Sequence, residues 1–326
     1  MKKKMKFKDN DLKALVIGAG SIGRRHAQNL KTLGVNVTLF DINTELLART
    51  CSQEGYTPCN NLELAISQDL FNFALVCTPN HLHIPIAQKV AEAGINIFIE
   101  KPLSHSFDGV QNLIDTVEKR GLCATVGFML RFEPGLQYLK KIINPKDVSF
   151  AQVEGASYMP FWRPRVDYRT VYSAHKSMGG GVVLDAVHEM DYICWILGYP
   201  TKVYGAFGKF SAIEMDAEDI AMMIFKYDDK LVSVHSDYLQ RKYTRRCKIC
   251  NRDGYTFEWT FGDSVKEFTN EGEKVFSYKD SFTTNQLYID EMRYFIDCIK
   301  SGVQPESTLK NGAEILKIAL SVKSEE

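Results

Sequence analysis

Residues 13–23 read Lys-Ala-Leu-Val-Ile-Gly-Ala-Gly-Ser-Ile-Gly. The first five are short, mostly apolar and bounded by glycine, as a parallel strand buried on both faces should be. Gly18-Ala19-Gly20-Ser21-Ile22-Gly23 matches G-x-G-x-x-G and opens a helical pattern that runs to about Leu33, where Gly34 ends it. In this context each glycine has a task. Gly18 permits the tight turn, Gly20 lets a pyrophosphate approach the backbone, and Gly23 lets helix and strand pack closely. The pyrophosphate would rest on the free N–H groups of the helix N-terminus, with Ser21 and Ile22 in its first turn.

Downstream the same alternation repeats. Strands are expected at 35–40, 73–77, 95–99 and 122–128, and helices at 45–54, 62–67, 84–93 and 107–120. Strands that alternate with helices imply βαβ units on one parallel sheet, hence a Rossmann domain. Asp41 closes the second strand, where a carboxylate accepts hydrogen bonds from the adenosine ribose. It would repel the 2′-phosphate of NADP, so NAD is favoured; Arg24 and Arg25 in the first helix keep NADP open. Ligands of open α/β sheets bind beyond the strands' carboxyl ends. Those ends carry Thr78-Pro79-Asn80-His81-Leu82-His83 and Glu100-Lys101-Pro102, and a buried core has no need of Lys101 there.

After Lys141 the pattern changes. Longer strands are expected at 150–158, 202–210, 220–227, 231–238, 246–249 and 255–261, with helices at 182–197, 287–300 and 309–322. This describes an α+β domain built on a large, mostly antiparallel sheet. The domains are therefore placed at 1–128, for the dinucleotide, and 129–326, for substrate and oligomerisation, tightly joined.

Bulk composition excludes several classes. The 326 residues carry 40 basic and 40 acidic side chains, so no net field draws nucleic acid or an anionic membrane. No run approaches the about 18 apolar residues of a membrane span, and the lysine-rich Met1–Asn10 precedes too short an apolar run for a signal peptide. The eight cysteines are scattered, which suits reduced thiols in a cytoplasmic protein. Cys247-Lys248-Ile249-Cys250 lies in an alternating strand without a second such pair, and it reads as packing rather than as a metal or redox site. No metal is expected.

The chain resembles the glucose–fructose oxidoreductase / inositol dehydrogenase / rhizopine catabolism family. The resemblance rests on the glycine turn at 18–23, Thr-Pro-Asn-His-Leu-His at 78–83, Glu-Lys-Pro at 100–102 and Gly-Gly-Gly-Val-Val-Leu-Asp-Ala-Val-His-Glu-Met-Asp at 179–191, in that order. It implies that Lys101 contacts the reacting hydroxyl and the nicotinamide, next to a cis Lys101–Pro102 peptide. It also implies that Asn80 and His83 line the cofactor pocket and that His188 is the acid/base residue with Asp185 beside it; Thr78, Pro79 and Glu100 are expected to flank the cofactor from their strand-end positions alone. Many members space this aspartate and histidine four apart rather than three; either spacing keeps both on one helix face. Trp162-Arg163-Pro164, Asp167-Tyr168-Arg169 and Ser236-Asp237-Tyr238-Leu239-Gln240-Arg241 resemble a branch associated with bacterial surface-glycan sugars.

The residues fit alcohol oxidation. A secondary alcohol loses a hydride, which nicotinamide accepts, and a proton, which histidine is suited to take. Lys101 would stabilise the alkoxide. Asp185, His188 and Asp191 recur every three residues; Asp191 either joins this face or braces its neighbours. His81, His105, His175 and His235 are dispersed and read as surface or loop residues, with His175 also a candidate for reaching substrate. Arg131, Trp162, Arg163, Tyr168 and Arg169, with Arg165 and Tyr172, suit a charged or nucleotide-linked sugar, through bidentate arginines and aromatic faces; a solvated loop or a subunit contact is the competing reading. The expected function is NAD-linked hydride transfer on a sugar, sugar nucleotide or cyclitol, in a homodimer or homotetramer. The alternatives are an NAD-dependent glycoside hydrolase of the same family and a non-enzymatic dinucleotide sensor.

Overall fold

The structure is a computed structural model that describes residues 12–68, 70–163 and 166–323. The lysine-rich tail and Arg165 lie outside them. The chain forms two compact units. One holds the described residues up to Phe128 together with Tyr288–Ala313; the other holds Met129–Leu287 and the chain from Glu314.

The first unit is a doubly wound sheet. Its elements are β1 Lys13–Ile17, α1 Ser21–Thr32, β2 Asn36–Phe40, α2 Thr44–Glu54, β3 Thr57–Cys59, α3 Leu62–Ser67, β4 Phe73–Val76, α4 His83–Glu92, β5 Asn96–Glu100, α5 Val110–Arg120 and β6 Ala124–Gly127. All six strands are parallel, in the order β3-β2-β1-β4-β5-β6. The order reverses between β1 and β4, which places a crevice at their carboxyl ends. The central strands are buried on both faces, which is why they read as unbroken apolar runs. The sequence assigns all of 129–326 to the second domain, but Met292, Phe295, Ile296 and Cys298 are in the core of the first unit.

The second unit contains α6 Pro134–Ile142, β7 Val148–Ala156, α7 Val182–Asp185, α8 Val187–Leu197, β8 Lys202–Gly208, β9 Ile220–Lys226, β10 Leu231–Asp237, β11 Thr244–Asn251, β12 Thr256–Thr260, β13 Ser264–Thr269 and β14 Gly272–Ser277. Two helices, α9 Thr284–Ser301 and α10 Leu309–Lys323, close the described chain. The eight strands run in the order β14-β13-β12-β11-β7-β10-β9-β8, antiparallel except for β7 and β10. Helix α8 packs on the inner face: Arg245 Nε of β11 donates to Glu189 Oε1 at 2.7 Å, and Tyr192 meets Trp259 edge-on. Where one helix is expected at 182–197, the chain breaks at Ala186 into α7 and α8. No helix of the described residues is long and apolar enough to cross a membrane.

Candidate active site

The glycine turn is shaped by close contact. Gly18 has φ +108°, and a Cβ there would lie 2.6 Å from the Cys77 carbonyl oxygen. A Cβ on Gly23 would lie 1.8 Å from the Gly18 carbonyl oxygen, so helix and turn can pack only over glycine. Gly20 differs. Its φ of −65° suits any residue, and a Cβ there meets nothing within 4 Å. Nothing in the protein requires that glycine, but a pyrophosphate against the backbone does. No side chain caps the N-terminus of α1, so its N–H groups are open to an anion.

Asp41 sits beside this turn. The Ala19 N–H donates to its Oδ2 at 2.6 Å and the Asn43 N–H to its Oδ1 at 2.8 Å. These bonds aim the carboxylate across the turn, where a ribose would lie. A dinucleotide therefore fits the residues present: Gly18, Gly20, Ser21, Ile22 and Gly23 for pyrophosphate, and Asp41 for ribose.

Two strand-end loops of the same unit carry the other candidate residues. His83 ties them together: Nδ1 lies 2.8 Å from the Pro102 carbonyl oxygen and Nε2 lies 2.8 Å from that of Thr78. Burial pushes its pKa down against the two carbonyls, so the neutral ring donates to one of them at a time. His83 is thus a buried strut, whereas the sequence places it lining the pocket. Asn80 is buried beside it, and Thr78 Oγ1 has no hydrogen-bond partner among the described residues. The Lys101–Pro102 peptide is cis, as expected. Lys101 is half-buried, and its N–H donates to Glu100 Oε2 at 3.1 Å. Glu100 Oε1 in turn meets His26 Nε2 at 2.6 Å.

In the second unit Asp185 ends α7 and His188 stands in the first turn of α8, buried at 6% exposure. Two phenols hold Asp185: Tyr238 OH donates at 2.6 Å and Tyr172 OH at 3.2 Å. Tyr238 is buried, and burial and the Asp185 charge push its pKa well up, so it remains a donor. Sequence reasoning assigned no role to Tyr238; its position at the end of β10, a strand terminus, is the signal that could have found it. Trp162 meets Tyr238 edge-on at 4.9 Å, and its Nε1 donates to Ser157 Oγ.

The arginines are mostly committed. Arg131 forks onto Asp191, Nε to Oδ2 at 2.9 Å and Nη2 to Oδ1 at 2.6 Å, with both side chains buried. Asp191 is therefore a brace, and the Arg131 fork expected for substrate is filled. Arg169 is exposed but bound to Asp167 and Glu214. Tyr168 OH accepts the Glu214 N–H, while Arg163 is exposed. The other histidines are less dispersed than expected. His81 and His105 stack edge-on at 6.2 Å, His235 Nε2 bonds Asp237 at 2.7 Å, and His175 Nε2 bonds the Arg169 carbonyl. Cys247 is buried and Cys250 half-buried, three residues apart on one strand and so on opposite faces. Among the described residues no group of three or more His, Cys, Asp or Glu is placed to hold a metal.

Comparison with known proteins shows the same division. The sequence model for "Oxidoreductase family, NAD-binding Rossmann fold" matches residues 12–128, and that for "GFO/IDH/MocA C-terminal domain" matches 152–256. The myo-inositol 2-dehydrogenase of Thermotoga maritima is 24% identical, over 94% of each chain. The scyllo-inositol 2-dehydrogenase (NAD(+)) of Bacillus subtilis is 23% identical, over 91% of this chain and 89% of its own. A levoglucosan dehydrogenase solved with NADH and levoglucosan shares the fold, with TM-score 0.85 and 19% identity over 96% of both chains. With the open glycine turn and Asp41 in one unit and matches to both of the family's domains, the chain belongs to the GFO/IDH/MocA family of NAD-binding oxidoreductases.

Proposed function

We propose that this protein is an NAD-dependent dehydrogenase that interconverts a secondary alcohol and a ketone on a sugar, sugar nucleotide or cyclitol. The observation that carries the reading is Lys101, held half-buried at the carboxyl end of β5, with its loop strapped by His83 to the loop after β4. NAD supplies the hydride acceptor when bound. The ammonium of Lys101 stabilises the alkoxide that forms as the proton leaves. His188 takes that proton, and Asp185, fixed by Tyr172 and Tyr238, orients it. Trp162, Arg163 and Tyr168 supply aromatic faces and a cation for a sugar and an attached charged group. Arg131 and Arg169 drop out of this set, because carboxylates occupy their forks.

The chain is further proposed to act as a homodimer or homotetramer in the cytoplasm. One face of the second sheet exposes Tyr204, Met222, Ile224 and Leu231, apolar side chains where an open antiparallel face is ordinarily polar. A second copy of that face would cover them. The eight unbridged thiols fit a reducing compartment.

The test is a fluorescence titration with NADH and NADPH, wild type against Asp41→Ala, then turnover of NAD with myo-inositol, scyllo-inositol, levoglucosan and a nucleotide sugar. The reading expects NADH to bind, NADPH to bind poorly, Asp41→Ala to weaken NADH, and one polyol class to reduce NAD. Loss of all dinucleotide binding would overturn it. Cleavage of an aryl glycoside without net NADH would replace it with the hydrolase reading.

A further inference from the structure

We propose that His26 is a positioning residue for Lys101, acting through Glu100. His26 lies on α1, the helix after the glycine turn, and is wholly buried. Its Nε2 lies 2.6 Å from Glu100 Oε1, and the other oxygen of that carboxylate accepts the Lys101 N–H at 3.1 Å. Phe98 and Tyr288 pack edge-on to the ring, at 5.2 and 5.7 Å, so the imidazole has no freedom to turn away. His26 Nδ1 has no partner among the described residues. With Nδ1 unpartnered, the ring's link to Glu100 runs through Nε2–H alone. Glu100 then receives one N–H at each oxygen and forms a rigid link from α1 to the backbone of the reacting lysine.

Stability alone does not call for this arrangement. Ile97, Phe98 and Ile99 precede Glu100 and are fully buried, and the site could have been closed with more of the same. Taking a carboxylate and an imidazole out of water costs free energy that apolar packing avoids. What the polar pair provides is a fixed direction for the Lys101 main chain, at the strand end where its ammonium must meet a hydroxyl.

This inference rests on the role proposed for Lys101, so its test reads that lysine without turnover. Trace acetylation of the whole protein by acetic anhydride, measured across the alkaline range and quantified on the Lys101 peptide, gives a plateau rate that reports access to Nζ. Exposed Lys89 serves as the internal reference. His26→Leu is expected to raise the Lys101 plateau at least threefold, while His26→Gln, which keeps an N–H donor, stays within twofold of wild type. The double variant His26→Leu/Glu100→Leu replaces the polar pair with apolar packing that the fold should accept. It too should show the threefold rise, and it decides the matter if the single variant does not fold. A smaller rise in the folded variants, or no rescue by glutamine, overturns the proposal. NADH titration of the same proteins is read separately: failure of wild type to bind would remove the dehydrogenase reading, whatever the labelling shows.

Discussion

Arg131→Met separates a brace from a substrate contact. The Arg131 guanidinium and the Asp191 carboxylate are 7% and 1% exposed and meet through two short bonds. Removing the arginine leaves a carboxylate that water cannot reach, and stranding one partner of such a pair costs about 3–5 kcal/mol. For a unit of this size each kcal/mol moves the midpoint by about 2–4 °C, so the expected fall is about 6–20 °C. The double change Arg131→Met/Asp191→Leu removes both charges and should regain most of the loss, because apolar replacement of a buried pair is often neutral or better. Urea and thermal unfolding monitored by near-ultraviolet circular dichroism is the assay, and Trp195, 5.8 Å from the guanidinium, is a local reporter. NADH affinity should not change, since the glycine turn belongs to the other unit. A loss below about 1 kcal/mol, the scale of an exposed pair, would refute the brace and return Arg131 to the substrate.

Single contacts set the remaining expectations. Gly20→Val should leave stability within about 0.5 kcal/mol while weakening NADH at least tenfold in fluorescence titration, because the space beside it is empty of protein. Gly23→Ala, which sets a Cβ against the Gly18 carbonyl, should instead destabilise by about 1–3 kcal/mol or more in thermal unfolding. Tyr238→Phe deletes the 2.6 Å bond to Asp185, of a kind worth about 1.5–3 kcal/mol; turnover should fall at least tenfold with NADH affinity unchanged. The hydrogen bond to Asp237 raises the His235 pKa above its ordinary value, with burial opposing it. The group is raised in the folded state, so its stabilisation is full below about pH 6.5, the unfolded value, and is lost as pH rises through the folded pKa. His235→Gln should therefore destabilise at pH 5.5 and converge on wild type in urea unfolding near pH 8.5.

The fold was legible where one short stretch carries its own reason. Buried parallel strands have no polar face, so β1, β4 and β5 stand out as apolar runs, and the glycine turn fixes the start of the helix after β1. What escaped had weak or misleading local signals. Three-residue β3 contains Pro58, tolerable only because β3 is an edge strand. Pro134-Gly135 reads as a break but starts α6, with Glu133 as the N-cap and proline in the first turn. In the last hairpin, β14 is the edge strand and mostly exposed, and β13 beside it buries only Ser264 and Val265, so neither presents a continuous buried face to impose alternation. The break at Ala186 carries neither glycine nor proline to announce it.

Within the site the same physics divides the residues differently. Gly20, Asp41 and Lys101 could be singled out from sequence because their positions at a turn or strand end already imply a ligand. The groups that hold candidate residues within each unit depend on partners far along the chain: His26 and Glu100 are separated by 74 positions, Arg131 and Asp191 by 60, and Asp185 and Tyr238 by 53. No periodicity or spacing rule reaches across such intervals. An arginine read from sequence as an anion grip is therefore conditional on a carboxylate the sequence does not reveal. Arg131 and Arg169 fail that condition, whereas Arg163 has no carboxylate partner among the described residues. If the substrate carries a phosphate or carboxylate, Arg163→Ala should raise KM for it while leaving kcat and NADH affinity in place, and a neutral polyol should be indifferent to the change. Equal effects on charged and neutral substrates would show that Arg163 supports the loop rather than the ligand.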